Sequence, residues 1–305
     1  MCRVNYAIII LSLLFLSNCK RQNDVKEISG PYLGQEPPGM KAELFAPGIL
    51  STDANEFNAV FTLAGDAIYF TGRGPHGQDI MVIEQIDGVW QERKPASFSD
   101  SYRDVDPFIT PDGVKLFFSS NRPIDGNIAQ EDCDFWYVEK LPSGEWSQAK
   151  HLNFPSTKGK HDFYYVSSVK GDIYFSIFEE GKGDIYFIPA ESSNEKQIKL
   201  NSPINTNYNE HDPFIAPNGS YLIFSSDRPG GHGSNDLYIC FVNDRGNWTE
   251  PVNMGDKINS GSYDYCPILS PDGKYFFFSS SRSGNGDVYW VDAKILEELK
   301  QDELK

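Results

Sequence analysis

The 305-residue chain is short of cysteine, short of basic charge, and has only one long apolar run. Its five cysteines, Cys2, Cys19, Cys133, Cys240 and Cys266, include no close pair and no Cys-x-x-Cys, so neither a disulfide framework nor a zinc motif is encoded. Lys and Arg number 27 against 43 Asp and Glu, a net charge of −16. An acidic surface repels phosphate backbones and anionic headgroups, which excludes nucleic acid as the main partner and favours a neutral or cationic one. No Gly-x-Ser-x-Gly elbow, no His-Glu-x-x-His and no Cys/His pair with a positioned base is present. Gly230-Gly-His-Gly-Ser234 has the composition of a phosphate loop, but Asp236 opens a strand where such a site needs a helix N-terminus. No catalytic residue, cofactor or required metal is therefore assigned, and the chain reads more readily as a non-enzyme.

The single apolar run lies at the start, Ala7 to Leu16, behind Arg3 and ahead of Leu16-Ser17-Asn18-Cys19. It reads as a secretory signal, residues 1–18, and resembles a bacterial lipobox. The resemblance implies that Cys19 carries lipid and that residues 19–40, polar and broken by Gly34, Pro37, Pro38 and Gly39, are a tether. Lys20-Arg21 after that cysteine does not look like an inner-membrane retention signal, so the resemblance points to the outer membrane. Cys133, Cys240 and Cys266 then remain as an odd set. They read as small buried strand residues, with a Cys240–Cys266 bridge as the alternative.

What the chain does have is repetition. Asp106-Pro-Phe-Ile-Thr-Pro-Asp-Gly113, running on to Ser119-Ser-Asn-Arg122, recurs at Asp212 to Arg228 and at Cys266 to Arg282. Five units align on a glycine turn followed by an aromatic-rich strand, with Gly65, Gly113, Gly171, Gly219 and Gly273 spaced by 48, 58, 48 and 54 residues. Units of this length holding several short strands predict an all-β radial propeller. Pro-Asp-Gly presets one φ and allows the next to be positive, which joins strands one and two as a tight hairpin. Each third strand opens on an aspartate: Asp79, Asp134, Asp184, Asp236 and Asp287. A fourth strand is expected around Trp90, Trp146 and Trp248, and at Lys196 to Leu200 in the third unit. The fifth unit runs out after Trp290, and Glu43 to Ser51 aligns without gaps on Val252 to Ser260. The N-terminal segment is therefore expected to supply the outer strand of the last blade and remove its free edge. Five four-stranded blades should occupy residues 41–293, with a polar tail of helical character over 294–305.

Two constellations recur. Arg73, Arg122, Arg228 and Arg282 precede third-strand aspartates of the same blade, Asp79, Asp134, Asp236 and Asp287, and are expected to pair with them, as suits the guanidinium fork. Acids and histidines also cluster where the first strands begin: Glu56, Asp104, Asp106, His161, Asp162, Glu210, His211, Asp212 and Asp264. First strands line a propeller's axis, so these groups are candidates for one channel mouth, able to hold a divalent cation or hydrogen-bond a sugar. Against this, Asp-Pro is a repeat-wide turn device. His161 and His211 fall outside the repeat pattern and are the sharper candidates.

These residues resemble the WD40-like propeller repeat of the TolB family of bacterial envelope proteins, with its Asp-Pro, Ser-Pro-Asp-Gly, strand with Ser, Arg, and Asp-Ile-Tyr. The likeness spans about Leu44 to Val291. The first unit departs at Asn58-Ala59 and Leu63 to Asp66, the third at Asp162-Phe163, Val169 to Gly171 and Glu179. The family's own pattern counts six blades and an added N-terminal domain. The resemblance implies a protein-interaction platform in the cell envelope. The alternative is a carbohydrate-binding or glycosidase-like propeller, in which Asp106, Asp162 and Asp212 would face an open pocket.

Overall fold

The computed structural model describes residues 27–75, 77–99, 101–125, 128–153, 161–191 and 196–303. The signal segment and Cys19 lie outside the described residues. Five antiparallel sheets follow one another along the chain. Their inner strands are Phe57–Phe61, Asp104–Ile109, His161–Ser167, Glu210–Ile215 and Asp264–Leu269. Each inner strand contacts the next, and the fifth contacts the first, so the ring is closed. The chain is a five-bladed β-propeller.

The predicted closure is present. Glu43–Leu44 pairs antiparallel with the third strand of blade five, Asp287–Asp292, in the register Glu43 to Trp290 and Leu44 to Tyr289. Phe45 N–H extends the ladder to Val288 O at 2.8 Å. Without this segment blade five would expose an edge strand, a template for unwanted pairing.

The turn chemistry is as the glycines require: Gly113 and Gly273 have φ of +72° and +71°. The second strands carry the core. Phe70, Phe118, Phe175, Phe224 and Phe278 occupy equivalent positions and are all at most 1% exposed.

The fourth strands lie beyond the tryptophans. They are Lys94–Pro95, Lys150–His151, Ile198–Lys199 and Val252–Asn253, two residues each. Trp90, Trp146 and Trp248 sit four residues earlier, in small hairpins that bridge back to the third strands. Residues Lys294–Glu303 form a helix, and Ile295 and Leu296 on it are buried in the core. Among the described residues no helix is long and apolar enough to cross a membrane. Cys133, Cys240 and Cys266 are buried free thiols, so the alternative Cys240–Cys266 bridge is not formed.

Candidate functional site

The first acid of each inner strand does not reach the channel mouth. Glu56, Asp104, Glu210 and Asp264 are 0% exposed. A fully buried carboxylate needs a cation and hydrogen bonds to stay ionised. Arg122 donates to Asp104 at 2.7 Å, Arg228 to Glu210 at 3.2 Å, and Arg282 to Asp264 at 2.8 Å. Arg93 serves Glu56 at 2.7 Å, and Arg73 is exposed. The same carboxylates accept from Thr52, Ser99, Thr206 and Ser260 on the incoming connection from the preceding blade. Each guanidinium also donates to that connection's backbone, at Phe98 O, Ile204 O and Ile258 O.

The expected pairing with third-strand aspartates is thus corrected. Ser120 faces both Asp104 and Asp134 across its two ladders, so register alone leaves the arginine two choices. Burial decides. Asp236 is satisfied by loop N–H groups of His232 and Gly233, at 2.5 and 3.0 Å, and by Asn253. Asp134 accepts from Gln130, Asp184 from Lys182 and Lys199, and Asp287 from Ser283. Asp79 is buried at the start of the same ladder. The acid inside the ring takes the arginine in addition to its hydroxyl donors.

The repeated Ser-Ser is explained by the same seams. The second serine orients the arginine: Ser120, Ser226 and Ser280 Oγ each accept from its Nε. The position before it ties neighbouring blades together. Thr71 Oγ1 accepts from Asp106 N–H, Ser176 Oγ from Asp212 N–H, and Ser279 Oγ from Asn58 N–H.

Those three acceptors meet a second ring. Every inner strand bulges, and the bulged residues Asn58, Asp106, Tyr164, Asp212 and Cys266 all have φ between +49° and +60°. The bulge turns each of these side chains onto the axis. Blade three therefore supplies Tyr164 where blades two and four have Asp-Pro, and Asp162 pairs with Ile177 at the level of Asp104 and Glu210. The apparent Asp-Pro counterpart at Asp162-Phe163 is two residues out of register. The side chains of His161 and Asp162 lie outside the described residues.

On the axis, Tyr164 Oη donates to Pro267 O at 2.5 Å, linking blades three and five through the centre. Cys266 N–H approaches Asp212 Oδ2 at 3.3 Å. Burial pushes the Asp106 carboxyl up to about 7, and the negative charge of Asp212 adds to the rise, while Arg103 and an Asn58 hydrogen bond oppose it. Of the candidate residues, Asp106 and Asp212 are the pair the ring brings together.

His211 is 3% exposed and fully engaged. Its Nδ1 lies 3.3 Å from Asp212 Oδ1, and its Nε2 lies 3.0 Å from Asn235 Nδ2 and 2.9 Å from Tyr263 Oη. Both ring nitrogens therefore have polar partners. Aromatic rings gather here: Tyr263 stacks on His211 at 5.8 Å, and Tyr265 lies 5.0 Å from Tyr263. No group of three metal-capable side chains occurs among the described residues.

Sequence reasoning missed the other mouth. Where the inner strands end, Phe61, Phe108, Ile109, Ile215 and Leu269 line an apolar funnel of about 320 Å³. The signal was available, because four of the five inner strands end on an apolar residue and only the third ends on Ser167, but single core residues look the same as mouth residues.

No family model matches the chain, and no curated protein matches its sequence. Among solved structures it is similar to a TolB protein from Agrobacterium tumefaciens, at 16% identity and a TM-score of 0.49, covering 74% of this chain and 70% of that one. TolB from Acinetobacter baumannii is similar at 18% identity and a TM-score of 0.47, over 81% of this chain and 52% of that one. An α-L-arabinofuranosidase from Lactobacillus brevis shows 13% identity and a TM-score of 0.47, over 79% and 90%. The architecture rests on the sheets described above, and these likenesses say nothing about chemistry.

Proposed function

We propose that the protein is an envelope lipoprotein, anchored through Cys19 in the outer membrane, whose propeller is a platform for another envelope protein. The observation that carries this reading is the use of the repeated charged groups. Glu56, Asp104, Glu210, Asp264 and their arginines are consumed inside the seams, which leaves a rigid disc with two chemically different faces. Rigid display of loops around an axis suits protein recognition. The net charge of −16 favours a neutral or basic surface on the partner. Crosslinking in the native envelope, followed by mass spectrometry of the captured species, tests the reading. Recovery of a defined protein supports it; recovery of glycan alone, or of nothing, counts against it.

Carbohydrate binding is the second reading, and one observation favours it: Asp106 and Asp212 interact on the axis and Asp106 holds its proton up to about neutral pH. An acid paired with a carboxylate is what glycoside chemistry uses. Both groups are more than nine-tenths buried, which favours the platform. Glycan binding or turnover that is lost in Asp106→Asn and Asp212→Asn variants would reverse that preference.

A further inference from the structure

The two faces differ in a way the repeat does not demand. Among the described residues ten large hydrophobic side chains are exposed. Six stand on the face that carries the strand-one-to-two turns: Leu63 at 53%, Ile86 at 55%, Val114 at 46%, Leu141 at 41%, Val169 at 69% and Val242 at 38%. Their placement follows from the ladders. Leu63, Val114 and Val169 sit in those turns, and the other three lie at the ends of third strands, where Glu84 faces Ala67, Glu139 faces Lys115 and Phe241 faces Tyr221. Leu63 and Val169 line the apolar funnel itself.

The chain enters the disc on this same face. Ile28–Ser29 pairs with Val89–Trp90, Trp90 Nε1 donates to Gly30 O at 2.7 Å, and Tyr32 Oη donates to Asp272 Oδ1 at 3.0 Å in the turn of blade five. Cys19 lies eight residues before Glu27, the first described residue. Eight residues span at most about 29 Å, less than the width of a small domain. A lipid on Cys19 would therefore keep the disc close to the bilayer, with the apolar turn face the nearest surface.

We propose that the turn face, with the funnel at its centre, rests against the lipid surface, so that the mouth holding Asp106, Asp212 and His211 points away from the membrane. The inference depends on the lipid-anchor reading above. Contact is shallow, because Asp66, Asp87, Asp112, Asp244 and Asp272 share the face and only the hydrophobic tips between them reach the lipid; Asp112 and Asp272 are each held by a neighbouring hydroxyl, Thr110 and Ser270. Lys140, Lys170 and Lys274 are exposed there and can extend their ammonium groups to the headgroups while their stems cover apolar surface. An exposed apolar patch of this kind ordinarily marks a partner or a membrane, and the point of chain entry selects the membrane.

The test uses the full lipidated protein in phosphatidylcholine vesicles. Single fluorescent labels go on Leu63→Cys and Val169→Cys on the turn face, and on Ile128→Cys and Tyr208→Cys on the opposite face. The native cysteines of the described residues are buried and stay unlabelled. A lipid-borne quencher should act several-fold more strongly on the first pair, and an aqueous quencher on the second. Equal quenching of both pairs, in protein that floats with the vesicles, overturns the orientation and leaves the anchor intact. Protein that fails to float overturns the anchor and the orientation with it. Lipid access to the turn-face labels that is lost only when a second protein is added would assign this face to a protein, and would also overturn the proposal.

Discussion

Replacing Arg122 with Met tests the seam account at its most exposed point. The guanidinium is 2.7 Å from Asp104, whose side chain is 0% exposed, and it also holds Phe98 O on the connection from blade one. Removing one partner of a buried pair leaves an uncompensated charge, a loss of about 3 to 5 kcal/mol. Burial already raises the Asp104 carboxyl above its ordinary value and Arg122 opposes that rise, so the variant raises it further. The folded state then binds a proton that the unfolded chain releases near pH 4, and the destabilisation grows as pH increases above that value. Urea unfolding followed by tryptophan fluorescence should show the larger loss at pH 8 and a smaller one at pH 5. Adding Asp104→Asn should recover part of it, because the stranded charge is gone. Arg73→Met is the control: it stands one residue earlier in the ladder register than Arg122, its side chain is exposed and Arg93 serves its blade, so the cost should stay within about 0.5 kcal/mol. Equal costs for the two variants, or a loss in Arg122→Met that ignores pH, would refute the reasoning.

Asp106→Asn should stabilise the protein at pH 8 by about 3 to 4 kcal/mol and change little at pH 4, because burial and Asp212 raise this carboxyl from 3.8 to about 7 and ionisation works against the fold in between. Asn58 already holds the equivalent bulge with φ of +52°, so the amide fits; unchanged stability at pH 8 would count against the axial pair. Tyr164→Phe strands Pro267 O on the axis and should cost about 1 to 2 kcal/mol in denaturant unfolding. Deleting residues 27–51 should produce edge-to-edge oligomers visible by light scattering, since blade five loses its outer strand and shows an edge.

Blade number, ring closure and turn conformation were legible because each is a local signal repeated five times. Gly113 and Gly273 announce their φ, and the gapless match of Glu43 to Ser51 on Val252 to Ser260 announces the outer strand. The arginine partner was not legible, because Asp104 and Asp134 are cross-strand neighbours of the same Ser120 and only burial separates them. Blade three misled for a different reason: Asp162-Phe163 imitates Asp-Pro, while the bulge that sets the axial ring falls at Tyr164. The ring of Asn58, Asp106, Tyr164, Asp212 and Cys266 repeats a residue type only at the two aspartates, so its common feature is the positive-φ bulge.

On the proposed reading, the mouth around Asp106 and Asp212 takes the protein partner and the turn face meets lipid. Site-specific photo-crosslinkers at Ile128 and Tyr208, and at Leu63 and Val169, applied in the native envelope, test it most directly. The first pair should yield one discrete protein adduct, weakened by charge reversal of the partner's basic surface, and the second pair should yield lipid adducts alone. A protein adduct from Leu63 and Val169, with none from Ile128 and Tyr208, would contradict it.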